Sequence, residues 1–162
     1  MEENRLLDAC RKALSAVLVA LVLCTFLSCT LPRIAVLHDP LTPEEHINLG
    51  VSYEKKGELD AALEQYKAAS KELPVAYLYM GNVYFQKGDA DHAEKAYENA
   101  IRKTGDARAY NNLAWLYYTR GERLEEAEKL AQKAVELSPD ANDFQDTLEK
   151  IIEKRSSLSE RR

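Results

Sequence analysis

One pattern of residue types occurs three times in the chain, and this repetition decides the fold. The first copy reads Leu49-Gly50-Val51-Ser52-Tyr53, followed by Gly57, Ala62, Tyr66 and Ala69. The second reads Met80-Gly81-Asn82-Val83-Tyr84, followed by Gly88, Ala93, Tyr97 and Ala100. The third reads Leu113-Ala114-Trp115-Leu116-Tyr117, followed by Gly121, Ala127, Ala131 and Ala134. A recurrence at a nearly fixed period indicates stacked structural repeats.

The spacing inside each copy is helical. Positions 46, 49, 50 and 53 follow an i, i+3, i+4, i+7 pattern, and so do the equivalent positions of the other two copies. The glycine that follows each pattern is placed to end a helix with positive φ and to reverse the chain; these glycines are Gly57, Gly88 and Gly121. Acidic residues then occupy the first turn of the next helix, at Asp60, Asp91 and Glu125-Glu126. The sequence therefore predicts a helical hairpin that occurs three times.

Small residues are expected to bring the two helices of each hairpin close together. Gly50, Gly81 and Ala114 can face the alanines at 62, 93 and 127 across the hairpin. A tyrosine of each first helix would then fill the remaining space; these tyrosines are Tyr53, Tyr84 and Tyr117.

This skeleton of residue types resembles the tetratricopeptide repeat over about residues 43–154. The resemblance implies an all-α fold, a right-handed α-solenoid of three helical hairpins at about 43–73, 74–105 and 106–139. The third copy departs from the pattern at Ala114 and Ala131, where the family has glycine and an aromatic residue. The repeats are also shorter than usual, and we expect tighter connections at residues 72–74 and 103–106.

A helix is predicted after the third hairpin, at residues 140–155. Its apolar face carries Phe144, Leu148, Ile151 and Ile152, and its charged face, which includes Lys150 and Lys154, is expected to point outward. Such a helix covers the exposed end of a solenoid. Residues 156–162 are polar and are expected to form a disordered tail.

The N-terminal residues resemble a secretion signal. An uncharged run from Ala13 to Ser28 follows the basic pair Arg11-Lys12. Phe26-Leu27-Ser28-Cys29 then resembles the lipobox of bacterial lipoproteins, which implies a cleaved signal peptide at 1–28, a lipid on Cys29 and an extended tether at 29–42. The alternative is an uncleaved signal anchor in the inner membrane. Both place the repeats outside the cytoplasm. The absence of Asp at position 30 implies, by the same resemblance, the outer membrane of a Gram-negative bacterium, facing the periplasm.

The candidate binding site follows from the resemblance to tetratricopeptide proteins, in which the first helices of the hairpins line a concave, peptide-binding surface. Here that surface would be rich in aromatic and amide side chains, with Arg108 on its rim. The residues concerned are Asn82, Phe85, Arg108, Asn111, Asn112, Trp115 and Tyr118. A competing interpretation is that part of this stripe, including Trp115 and Phe85, packs between neighbouring repeats.

Other classes of function are disfavoured by what the sequence lacks. No catalytic constellation, cofactor motif or pair of metal ligands on one helix face is visible. The net charge is −5 without a basic stripe, which argues against nucleic acid. We therefore expect a non-enzymatic scaffold or assembly factor whose partner is another envelope protein. Two rivals are an accessory subunit of a cell-wall enzyme and a small-ligand carrier, the latter disfavoured because three repeats leave an open trough.

Overall fold

The computed structural model describes residues 39–160, together with Arg11 and Ser15. The residues from Leu41 onward form a compact unit of their own. Within residues 39–160 there are seven α-helices and no strand: α1 Pro43–Lys55, α2 Leu59–Ala69, α3 Ala76–Gln86, α4 Ala90–Thr104, α5 Ala107–Arg120, α6 Leu124–Leu137 and α7 Asn142–Ser159. The predicted all-α solenoid is confirmed. Apart from Arg11 and Ser15, the signal segment, Cys29 and residues 30–38 of the tether lie outside the described residues.

Consecutive helices pair as hairpin 1 (α1 and α2), hairpin 2 (α3 and α4) and hairpin 3 (α5 and α6). Helix α1 begins with a capping box, in which the Thr42 hydroxyl accepts from the Glu45 amide at 3.2 Å and the Glu45 carboxylate accepts from the Thr42 amide at 2.8 Å. The turn to α2 contains Gly57 with φ +78°. Gly88 and Gly121 also have positive φ, as predicted.

A tyrosine ring fills the space above the repeat glycine in hairpins 1 and 2. An added Cβ at Gly50 would lie 2.7 Å from Tyr66 Cδ1, and one at Gly81 would lie 2.5 Å from Tyr97 Cδ1. Both tyrosines are almost fully buried. The nearest atoms to each glycine therefore belong to this ring, and not to the facing alanine as expected.

Hairpin 3 has a different pair of residues at the same place. Ala114 replaces the glycine, Ala131 replaces the tyrosine, and both are fully buried. A methyl group fits at position 114 because no ring occupies position 131. The two departures from the repeat pattern are therefore one change in packing.

Helix α7 covers the end of the solenoid with Phe144 and Ile151, which are both buried. Two details of the prediction are wrong. Ile152 lies off the buried face and is 40% exposed. The helix also continues to Ser159, so residues 156–159 are helical and do not belong to a disordered tail. In this last part of the helix the hydroxyls of Ser156 and Ser157 each donate to the backbone carbonyl three residues earlier, at 2.9 Å.

The shortened repeats are accommodated differently in the two connections. Only Gly105 and Asp106 separate α4 from α5, which is the tight connection expected. Between α2 and α3, however, residues 70–75 form a longer connection, and helix α2 is short, with 11 residues against 15 in α4. Pro74 limits how far α2 could extend, because proline disfavours helical conformation in the residue before it and cannot donate a helix hydrogen bond.

In residues 39–160 no helix has both the length and the apolar composition that crossing a membrane requires.

Candidate functional site

A cleft of about 310 Å³ opens on the side of the solenoid formed by the first helices of the three hairpins. Helices α1, α3 and α5 supply most of its wall, and α4 supplies one tyrosine from below. The lining residues are Glu54, Asn82, Phe85, Gln86, Tyr97, Asn112 and Trp115. The cleft thus draws on all three hairpins, and its shape depends on how they stack.

Side-chain hydrogen bonds join the hairpins at the floor of the cleft. The Asn82 oxygen Oδ1 accepts from the Tyr97 hydroxyl at 3.1 Å and from the Asn112 amide at 2.9 Å. The Glu54 carboxylate accepts from the Tyr66 hydroxyl at 2.9 Å and from the Gln86 amide. Glu54 therefore links Tyr66 of hairpin 1 to hairpin 2, and Asn82 links Tyr97 of hairpin 2 to hairpin 3.

The two tyrosines that support the floor stay protonated. Burial raises the pKa of Tyr66 and of Tyr97 well above the ordinary value for a phenol. The hydrogen bond to Glu54 raises the pKa of Tyr66 further, and the charge on Glu54 raises that of Tyr97. Both hydroxyls therefore remain hydrogen-bond donors throughout the physiological range. Since their rings also lie over Gly50 and Gly81, the same side chains pack the hairpins and hold the polar floor.

Two aromatic side chains form the apolar wall. Phe85 is 36% exposed, and Trp115 is half-buried and stacks on Tyr118 with 4.9 Å between ring centroids. Phe85 and Trp115 thus offer apolar surface beside the amides of the floor. Such a combination suits a segment of polypeptide, whose side chains are apolar in part and whose backbone needs hydrogen-bond partners.

Two lysines of helix α7 lie beside the aromatic side chains at this end of the cleft without lining it, a feature that the sequence did not predict. The Lys150 ammonium lies 5.6 Å from the Trp115 ring centroid. The Lys154 ammonium lies 4.6 Å from the Tyr118 ring centroid and donates to the Tyr118 carbonyl at 2.7 Å. The expectation that Lys154 points outward is therefore wrong. Lys154 is three residues after Ile151 and so lies at the edge of the buried face.

Four of the seven predicted site residues line the cleft: Asn82, Phe85, Asn112 and Trp115. Tyr118 lies against Trp115 but does not line the cleft. Asn111 is 9% exposed; its amide donates to Asn112 Oδ1 at 3.4 Å, and its own Oδ1 has no hydrogen-bond partner within residues 39–160. Asn111 is therefore buried inside the solenoid and does not line the cleft.

Arg108, the seventh predicted residue, is held at the start of α5 and does not line the cleft. Its Nε donates to Asp106 Oδ1 at 3.0 Å, and Asp106 is also the N-cap of the helix. The guanidinium lowers the pKa of this carboxyl group below its ordinary range. Arg108 thus strengthens a helix cap.

Sequence reasoning did not assign Glu54, Gln86 and Tyr97 to the site. Glu54 and Gln86 could have been found, because Gln86 follows Asn82 by four residues and Glu54 ends the corresponding stripe of α1. Tyr97 could not, since it looks like a core residue of the second helix and reaches the cleft only with its hydroxyl.

A larger cavity, of about 640 Å³, lies between the turn from α5 to α6 and the end of α7. Two arginines line it, but both are engaged: Arg123 with Glu94, and Arg155 with Glu128 at 3.0 Å. None of the predicted site residues lies there. In the part of the chain that the structure describes, no group of three or more His, Cys, Asp or Glu side chains could hold a metal ion.

Comparison with protein families agrees with this architecture. Models of the tetratricopeptide repeat match residues 46–71 and residues 78–142. The chain belongs to the tetratricopeptide repeat family. Proteins of this family are typically non-catalytic modules for protein–protein interaction, and the repeat domain described above has the fold of such a scaffold.

Solved structures of other tetratricopeptide repeat domains are similar to this one. The first repeat domain of Spaghetti (RPAP3) bound to the HSP90 peptide SRMEEVD has a TM-score of 0.66 at 22% identity, over 75% of this chain and 98% of that one. The Sgt2 domain from Aspergillus fumigatus has a TM-score of 0.68 at 15% identity, over 73% of this chain and 82% of that one. The first domain of human RPAP3 gives 0.67 at 24% identity, over 75% and 98%. No curated protein sequence matches the chain significantly.

Proposed function

We propose that this tetratricopeptide repeat protein is a membrane-anchored scaffold that binds a segment of a partner protein in the cleft between α1, α3 and α5. The observation that carries the proposal is the composition of the cleft. Phe85 and Trp115 offer apolar surface to solvent beside the side-chain amides of Asn82, Gln86 and Asn112. Aromatic side chains are the commonest anchors of interfaces, and amides can pair with the backbone of an extended peptide.

A structurally similar domain supports a peptide as the ligand. The similar domain of Spaghetti (RPAP3) is bound to a short HSP90 peptide. By analogy we propose a peptide segment here too, and not a small molecule, because the cleft is open and draws on three hairpins. We propose no catalytic role.

The location of the protein is proposed from its sequence. Phe26-Leu27-Ser28-Cys29 at the end of an uncharged run supports lipidation of Cys29 and cleavage before it. We propose that the lipid holds the protein at the outer membrane, facing the periplasm, and that its partner is another envelope protein whose assembly it assists.

Affinity capture tests the binding site. Full-length protein, extracted from membranes in detergent, is compared with a Phe85→Ala/Trp115→Ala variant and with Leu137→Ala as control. Leu137 is 45% exposed on α6 and does not line the cleft. We expect the double variant to lose its partner and the control to keep it, with both variants showing wild-type circular dichroism. Capture of the same proteins by the folded double variant would overturn the cleft as the binding site.

The intact mass of the N-terminal peptide from membrane-extracted protein tests the anchor. An acylated Cys29 at a new N-terminus is the expected result. An uncut chain beginning at Met1 would contradict lipidation and would indicate a signal anchor in the inner membrane.

A further inference from the structure

The end of the cleft formed by hairpin 1 carries a negative charge without a cation. Glu54 lines the cleft, and its carboxylate is bonded to two neutral groups, the Tyr66 hydroxyl and the Gln86 amide. No lysine or arginine of residues 39–160 forms an ion pair with it. A half-buried carboxylate in this position attracts a cation or a strong hydrogen-bond donor from outside.

The opposite end carries a positive charge without an anion. Lys150 is exposed on α7, and its ammonium lies 5.6 Å from the centroid of Trp115, the last aromatic side chain of the cleft. Among the described residues no carboxylate pairs with Lys150. The neighbouring basic residues differ, because Lys154 donates to a backbone carbonyl and Arg155 pairs with Glu128.

Charges elsewhere between the hairpins are compensated. Lys87 of hairpin 2 pairs with Asp60 of hairpin 1, and Arg120 of hairpin 3 pairs with Asp91 of hairpin 2 at 3.2 Å. Arg123 likewise pairs with Glu94. Glu54, which lines one end of the cleft, and Lys150, which lies beside Trp115 at the other end, are therefore opposite charges without an ion-pair partner among the described residues.

We infer that the cleft binds a bipolar segment of polypeptide, with a basic residue at the Glu54 end, an apolar residue against Phe85 and Trp115, and an acidic residue at the Lys150 end. This inference rests on the proposed function and adds the chemical character and the orientation of the partner. The order of the contributing helices along the solenoid, α1, α3, α5 and α7, sets the order of the three contacts. Charge complementarity of this kind fixes the register of a ligand.

A random library of twelve-residue peptides displayed on phage provides the probe. It is selected against the full-length protein in detergent and, separately, against three single variants. Glu54→Gln keeps the hydrogen-bond acceptor for Tyr66 and removes the charge. Lys150→Glu reverses the charge at the other end. Lys129→Glu, at an exposed position of α6 that does not line the cleft, changes the net charge by the same amount as Lys150→Glu and serves as control.

We expect peptides selected by the wild type to carry an apolar centre with basic residues on one side and acidic residues on the other. Glu54→Gln should abolish only the preference for basic residues in the selected peptides. Lys150→Glu should abolish only the preference for acidic residues. The affinity of one selected peptide should fall about fivefold in each variant, the upper end for an exposed ion pair, and should not change in Lys129→Glu.

Two results would overturn the inference, and they differ in what they say of the cleft. Apolar peptides without charge preference, still dependent on Trp115, would exclude a bipolar ligand and leave the proposed binding site in place. Peptides whose binding is unchanged in Phe85→Ala/Trp115→Ala would exclude both the bipolar ligand and the cleft as the binding site.

Discussion

Hairpins 1 and 2 differ from hairpin 3 in how they pack, and the difference decides how each contributes to the cleft. In the first two, a glycine makes room for a buried tyrosine whose hydroxyl reaches the floor of the cleft, at Glu54 in one case and at Asn82 in the other. In hairpin 3 two alanines take these places, so no such hydroxyl exists. Trp115 is instead held by stacking on Tyr118 and lies beside Lys150 of α7.

A buried core residue can support a binding site with its distal polar atom. Tyr97 is 2% exposed and would ordinarily be assigned to packing alone, yet its hydroxyl orients Asn82. Where the tyrosine is lost, the final helix replaces its support. The cleft therefore has a hydrogen-bonded floor at one end and an aromatic wall backed by lysines at the other.

The largest expected effect is that of removing a supporting tyrosine. Tyr97→Ala should lower the free energy of unfolding by about 3–5 kcal/mol, because it leaves a cavity over Gly81. The equivalent change in hairpin 3, Ala131→Gly, should cost only about 1 kcal/mol, the difference in helix propensity. Urea denaturation measures both. Equal losses at the two positions would contradict the distinction between the hairpins.

A double-mutant cycle tests the pairing of glycine with tyrosine. Gly81→Ala should destabilise the wild type by about 1–3 kcal/mol, since the new methyl group overlaps the Tyr97 ring. In a Tyr97→Ala background the same change should instead stabilise by about 1 kcal/mol, because alanine favours a helix over glycine. That background reproduces the pair found in hairpin 3. Simple additivity of the two changes would show that the glycine and the ring are not coupled.

Hairpins 2 and 3 differ in how their first helices are capped, and the pH dependence of stability distinguishes them. Asp106 caps α5 through a hydrogen bond to the Arg108 amide, whereas Val75 at the start of α3 makes no side-chain cap. Asp106→Ala should therefore cost about 1 kcal/mol at pH 7.

The pH dependence of this cost follows from the lowered pKa of Asp106 in the folded state. The stabilisation is present above the ordinary aspartate pKa of about 3.9 and is lost as the pH falls through the lower value of the folded protein. Urea midpoints for the wild type and for Asp106→Ala should converge in acid. A difference that stays constant from pH 7 to pH 2 would contradict a charged cap.

The smallest expected effect concerns the ion pairs between hairpins. Arg120→Ala removes the pairs with Asp91 and Glu122 and should lower the urea midpoint only slightly, since the Asp91 side chain is 80% exposed. Lys87→Ala, which breaks the pair with Asp60 between hairpins 1 and 2, should lower the midpoint by about the same amount. Both losses should shrink in high salt. A loss at either position as large as that caused by Gly81→Ala would mean that these pairs matter more to stacking than exposed pairs usually do.

Much of the fold could be predicted from sequence because its determinants are local. The i, i+3, i+4, i+7 spacing gives the helices, and Gly57, Gly88 and Gly121 give the turns, all within about ten residues of the features they produce. The end of α7 was missed because a polar tail of serines resembles disorder, although each hydroxyl can bond to the preceding helical turn.

The cleft was predicted only in part, because it depends on contacts between distant residues. Asn111 and Asn112 are adjacent in sequence, and only the stacking of hairpin 3 on hairpin 2 decides that one is buried while the other reaches Asn82. The same holds for Lys150, whose position beside Trp115 follows from the docking of α7. Local periodicity does not contain this information.

Site-specific photo-crosslinking tests the central claim, that the cleft is where a partner protein binds. A photoreactive phenylalanine analogue is placed at position 85 of the full-length protein in its native membrane, and at Leu137 in a matched control. We expect a partner adduct from position 85 that disappears when Trp115→Ala is added, and none from position 137. An adduct from position 137 alone would contradict the account and would move the binding surface to the other side of the solenoid.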